Sequence, residues 1–146
     1  MKISIDLKRF KTALDEKQAQ IQAATRPAAQ AGVQVIYDQA RLNVPVSGKG
    51  HWFHGTSFKK NGQKYWFTSG SLRDSIYQVF SQDKSNAHKA TYHVSWNRKK
   101  APYAWMVELG TSRAAARPFL APAIAGKADE ARREMRRVFI EKVKSP

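Results

Sequence analysis

Residues 75–96 read SIYQVFSQDKSNAHKATYHVSW, and this stretch decides the fold. Ser75-Ile76-Tyr77-Gln78-Val79-Phe80 is short and rich in β-formers, and Thr91-Tyr92-His93-Val94-Ser95-Trp96 alternates, with Tyr92, Val94 and Trp96 on one face. Strand side chains point to opposite faces in turn, so this alternation describes a strand covered on one side. The polar link over residues 81–89 makes the two segments an antiparallel pair. Two strands cannot bury a core alone, so the covered face requires helices.

Helical periodicity lies on both sides of the pair. Leu7, Phe10, Leu14, Ile21, Ala24, Ala28, Ala31, Val35 and Leu42 recur mostly three, four or seven apart, the pattern of one buried stripe on a long helix that reaches Asn43. Pro27 lacks an N–H and clashes with the preceding turn, which predicts a kink or a new helix there, with Thr25 as its cap. Pro45 ends the segment, and ahead of it Ile3, Ile5 and Leu7 alternate as a short strand. On the other side, a short helix over 103–109 stops at Gly110, which can take a left-handed conformation. A last helix over 119–144 carries Ile124, Ala128, Ala131, Met135, Val138 and Val143 as its apolar stripe. The expectation is an α+β fold: a long N-terminal helix and a C-terminal helix packed on a small antiparallel β-sheet.

Composition bounds what such a chain can do. Its 146 residues make one domain, and a hydrophobic content of 42% supports a real core rather than wholesale disorder. The absence of cysteine excludes disulfides, thiolate zinc sites and cysteine nucleophiles together. The N-terminus has no apolar run of signal-peptide length, and no run approaches the roughly 18 residues of a membrane span. A soluble protein made in the cytoplasm is expected. Twenty-six Lys and Arg against eleven Asp and Glu give a net charge of +15. That excess suits nucleic acid, an acidic protein or an acidic membrane surface, or simply makes a soluble cation.

Catalytic templates find little to use. Gly48-Lys49-Gly50 is a fragment of a phosphate loop and fits a flexible turn. His51 and His54 are three apart with no carboxylate or third histidine nearby, so no metal site is expected. Glu108 is the one acid between Asp83 and Asp129, without a partner for acid–base work, and suits an ion pair or a helix-end hydrogen bond. No serine sits in a nucleophile elbow. The chain is expected to be no enzyme and to need no cofactor.

Residues 47–67 stand apart. Trp52, Phe53, Phe58, Tyr65, Trp66 and Phe67 are interleaved with His51, His54, Lys59, Lys60 and Lys64, and the stretch holds no acid. The part from 58 to 67, pivoting on Asn61-Gly62, reads as a β-hairpin. Aromatics among lysines serve three ends: an arm at a subunit interface, a surface that stacks on single strands, or packing on their own domain. In the last helix Arg132, Arg133, Arg136 and Arg137 crowd the flanks of the stripe and are expected to be exposed, facing a polyanion or an acidic neighbour.

Three blocks in order carry a resemblance. Pro45-Val46 resumes after the loop as Thr68-Ser69-Gly70-Ser71-Leu72-Arg73-Asp74-Ser75-Ile76. Tyr103-Ala104-Trp105-Met106-Val107-Glu108-Leu109-Gly110-Thr111 follows, then Arg117-Pro118-Phe119-Leu120-Ala121-Pro122-Ala123. The chain thereby resembles, over nearly its whole length, the tail-component family of tailed bacteriophages, whose members are neck, head–tail joining or tail-completion proteins. The resemblance implies a structural virion protein assembled in the bacterial cytoplasm. Its partners would be its own copies in a ring, six-fold by resemblance, the neighbouring neck or tail-tube proteins, and DNA passing through the channel. In the family pattern Pro-Val and Thr-Gly-Leu-Arg are nearly contiguous, so residues 47–67 look like an insertion of their own. Gly70, Leu72, Arg73, Tyr103, Glu108, Gly110, Thr111, Pro118, Phe119 and Pro122 then read as fold-specifying positions. A rival of another class is a small basic module that binds nucleic acid without reading sequence, through the Arg-rich helix and the aromatic loop.

Overall fold

A computed structural model describes residues 7–144, the side chains of residues 56–58 excepted. The expected strand at Ile3 and Ile5 therefore lies outside the described residues, while Leu7 opens a helix. The elements run α1 (Leu7–Asn43), β1 (His51–Phe53), α2 (Thr56–Asn61), β2 (Tyr65–Phe67), α3 (Ser71–Ser75), β3 (Ile76–Phe80), β4 (Tyr92–Trp96), α4 (Ala104–Leu109) and α5 (Leu120–Lys144). The architecture is α+β, two long helices and three short ones with two small antiparallel sheets.

The decisive pair forms as its alternation requires. β3 and β4 are antiparallel, with Ile76 opposite Trp96 and Phe80 opposite Tyr92. α1 crosses this hairpin. Gln78 on β3 donates through Nε2 to Gln34 Oε1 at 2.5 Å, and the Arg26 guanidinium lies 4.3 Å from the Phe80 ring centre. Beneath sits the main core of Val44, Leu72, Ile76, Ala101, Ala104 and Phe119, with Tyr37, Val94 and Trp96 packed around it.

α1 and α5 run antiparallel. The Asn43 side-chain amide donates to the Phe119 carbonyl at 3.1 Å at one end, while farther along Met135 covers Gly32. Their seam is made of small residues, Ala24, Ala28 and Gly32 against Ala123 and Ala131, which lets the backbones approach closely. An added Cβ on Gly32 would lie 2.4 Å from Met135 Cγ.

Several expectations fail here for identifiable reasons. α1 runs unbroken through Pro27, and the Thr25 hydroxyl donates to the Ile21 carbonyl at 2.8 Å instead of capping a new helix. Ala24 and Ala28 are buried on either side of the proline, so packing on both sides keeps the helix continuous there. The apolar stripe is buried only in part. Leu7 (73% exposed), Phe10 (60%), Leu14, Ile21 and Leu42 face outward. With 37 residues against 25 in an antiparallel pair, α1 outruns α5 by roughly three turns at its N-terminal end, where Leu7, Phe10 and Leu14 lie. In α5 Ala131 is buried as the stripe requires, but at the start of the helix Ala123 is buried and Ile124 exposed, because pinning Phe119 sets the rotation of the first turn.

Candidate functional site

The three blocks of the resemblance meet at one joint, where α4 holds the start of α5. The Glu108 carboxylate accepts the amides of Phe119 at 2.8 Å, Leu120 at 3.1 Å and Ala121 at 3.0 Å. The lone acid of an apolar helix thus becomes a helix-end acceptor, one of the two roles its surroundings suggested. Phe119 is fully buried, with its ring edge against Trp96 at 5.9 Å. Leu72 of the first block is buried in the same cluster, and Gly70 opens α3 at φ +81°.

Gly110 ends α4 with its amide on the Met106 carbonyl at 2.9 Å, but at φ +76° and ψ 178°. That lies beyond the expected left-handed helical well, in a region open essentially to glycine. An added Cβ would also sit 2.7 Å from the Ala116 amide nitrogen. Thr111 closes the next turn, its hydroxyl accepting the amides of Arg113 and Ala114 at 3.2 and 3.1 Å. Arg73 lies on the surface against Asp74, which also meets Arg41. Pro118 precedes α5 and Pro122 stands in its first turn.

The inserted segment departs from the expected hairpin. β1 pairs with β2, Trp52 opposite Trp66 and Phe53 opposite Tyr65, while α2 takes up the residues expected to form the first strand. Asn61-Gly62 turns the chain out of that helix, with Gly62 at φ +72°, rather than joining two strands. The Ser69 hydroxyl donates to the Ser47 carbonyl, so the two ends of the insertion lie side by side. One face of the hairpin packs on its own domain: His51, Phe53 and Phe67 surround Tyr103 at ring distances of 5.1, 5.8 and 4.9 Å. Burial there holds the Tyr103 hydroxyl above the ordinary phenol range. The opposite face is open, with Trp52 and Trp66 edge to face at 5.2 Å and both exposed. Phe58 lies in α2, and its side chain is outside the described residues.

The arginine cluster of α5 is exposed as expected, but its four charges are not equivalent. Arg132 meets Asp129 at 2.6 Å, and Arg137 bridges Glu134 at 2.6 Å and Glu141 at 3.1 Å. The Arg137 bond holds the Glu134 carboxyl below its usual range and raises the guanidinium in turn. Arg133 and Arg136 form no ion pair among the described residues and line a shallow hollow with Arg132 and Asp129. Exposed ion pairs contribute little to stability. Alanine at all four positions should therefore shift the urea midpoint by less than about 1 kcal/mol in stability while weakening polyanion binding or assembly. A quadruple variant that fails to fold would make the cluster structural.

A hollow of about 640 Å³ lies between the hairpin root, α3 and α4, lined by Leu72, Tyr103, Met106 and Arg117 among others. Two hydroxyls on its wall are engaged: Ser47 donates to the Lys49 carbonyl, and Ser71 to the Thr68 carbonyl. His51 also lines the hollow, and among the described residues no hydrogen bond joins it to a hydroxyl of the wall. Among the described residues no three His, Cys, Asp or Glu side chains converge as metal ligands, and no helix is long and apolar enough to cross a membrane.

Two features escape sequence reading. The exposed half-stripe of α1 looks identical to a buried one, since period reveals a shared face and not its cover. The run Arg98-Lys99-Lys100 after β4 was visible as charge, but its neighbours in space, Tyr65, Tyr77 and Trp105, come from distant segments. No model of a known protein family, no curated protein and no solved structure matches the chain.

Proposed function

We propose that this chain is a non-enzymatic structural subunit of a tailed-bacteriophage virion, working in a homo-oligomeric ring of the neck or tail-completion region where head and tail join. The observation that carries the proposal is apolar surface left open toward the N-terminal end of α1, where Leu7, Phe10, Leu14 and Ile21 lie exposed along one helix face. A protein working alone leaves such a stripe in water at a cost, whereas a ring subunit buries it against a neighbour. The open Trp52–Trp66 face of the insertion offers a second patch of the same kind. The resemblance of the three ordered blocks supplies the kind of assembly. Arg133 and Arg136 then face packaged DNA or an acidic neighbour, holding phosphates without reading sequence.

Light scattering after size exclusion, at low and high salt, tests the reading. A ring that survives high salt, or one formed on mixing with tail tube, is expected. A monomer in both conditions, inert toward tail tube, would overturn it. The insertion gives a second test. Deleting residues 48–67 and rejoining Ser47 to Thr68 spans ends that already touch. The shortened chain should fold, losing about 1–2 kcal/mol with the ring contacts to Tyr103, and assemble poorly. Normal assembly into infectious particles would remove the insertion from the interface.

A further inference from the structure

The loop after β4 is built as a rigid turn. The Asn97 amide donates to the Ser75 carbonyl at 2.8 Å, and the Asn97 carbonyl accepts from Ala101 at 2.8 Å. Asn97 Oδ1 accepts the amides of Lys99 and Lys100 at 2.9 and 3.3 Å. Ala101 is fully buried and anchors the far side. Arg98 and Lys99 are thereby held outward on a fixed ridge, and neither forms an ion pair among the described residues.

Hollows flank this ridge on both sides, and Arg98 and Lys99 line each of them. One, of about 550 Å³, lies between β2 and α4 and exposes Tyr65 and Trp105. The other, of about 450 Å³, lies over the β3–β4 hairpin and exposes Tyr77. Trp105 is 44% exposed and Tyr77 43%, unusual for rings of that size with a core within reach. No carboxylate lines either hollow.

We propose that this track, Tyr65 and Trp105, then Arg98 and Lys99, then Tyr77, binds single-stranded nucleic acid. Exposed ring faces on both sides of a cationic ridge match alternating bases and phosphates. Duplex DNA keeps its bases stacked and offers phosphates alone, so it would use the two cations and leave three aromatic rings idle. An acidic peptide would likewise engage the charges without a planar partner for each ring. The chemistry therefore favours unpaired bases, about two or three of them, read by stacking and not by sequence. The track uses none of the α1 stripe and does not require a ring.

Titration of the isolated full-length chain with an oligothymidylate of about eight nucleotides, and with a duplex of equal length, tests the proposal. The expected result is quenching of tryptophan fluorescence and tighter binding to the single strand at equal salt. Trp105→Ala and Tyr77→Ala should each weaken single-strand binding about tenfold and leave duplex binding unchanged. The double variant Arg98→Gln/Lys99→Gln, at exposed positions, should lower the salt-dependence slope for the single strand by about 1.4. Preference for the duplex, or aromatic variants that bind the strand as the parent does, would overturn the proposal. So would an unchanged slope in the double variant, or binding of polyglutamate without binding of the strand. Because ring formation is read separately by light scattering, either proposal can fail without the other.

Discussion

Phe119→Ala should cost about 3–5 kcal/mol, a third or more of the stability of a typical domain. Phe119 is the one large side chain wholly removed from solvent among the described residues, and its neighbours Ala101 and Ala104 are too small to fill the space it would leave. Trp96 would lose the edge-on ring contact as well. The core cannot collapse around the loss, because the Phe119 backbone is fixed twice, by Glu108 at its amide and by Asn43 at its carbonyl. Urea denaturation and a thermal scan check this, with a fall in the thermal midpoint of about 10 °C or more expected. Phe119→Leu, which keeps most of the volume, should lose under half as much. An unchanged midpoint in Phe119→Ala would show that the joint between α5 and the sheet is held elsewhere.

What the sequence made legible follows from how local each signal is. The β3–β4 pairing could be read because alternation at Tyr92, Val94 and Trp96 defines a face without reference to distant residues. Burial of Phe119 and the helix-end bond of Glu108 were foreseeable in kind, an apolar anchor and an acid without a catalytic partner. That the three amides served by Glu108 begin eleven residues away could not be seen, since it depends on the turn at Gly110 and Thr111. The failures share one cause, long-range packing that overrides a local rule. Pro27 should break a helix, and the α5 seam on both sides keeps it whole. Asn61-Gly62 should turn a hairpin, but Phe53 and Phe67 gain more by facing Tyr103 together, which pairs β1 with β2. The candidate site suffers most, because an interaction surface consists of side chains left uncovered, and sequence cannot say which helix falls short of covering another. The exposed half of α1 and the Arg98–Lys99 ridge both became visible only once the elements were placed.

Glu108→Ala should cost about 2–4 kcal/mol, a large effect for a partly solvated side chain. A helix begins with four amides that have no partner of their own. At the start of α5 these belong to Phe119, Leu120, Ala121 and the position of Pro122, and Pro122 has no N–H to satisfy. Glu108 accepts the other three, so one carboxylate and one proline complete the end of the helix. Its negative charge also lies at the positive end of the helix dipole, which strengthens each bond. Removing it strands the Phe119 amide beside a fully buried ring, where water enters poorly. Glu108→Gln keeps one acceptor oxygen and loses the charge, and should cost about half as much. Glu108→Asp is one methylene shorter and should behave more like alanine than like glutamine, since reach rather than charge then fails. Hydrogen exchange separates this from general destabilisation. In Glu108→Ala the amides of Phe119, Leu120 and Ala121 should exchange far faster, beyond the change seen for Val94 in β4, which reports global opening. Equal acceleration at all four amides, or a denaturation midpoint matching the parent, would leave the start of α5 held by packing alone.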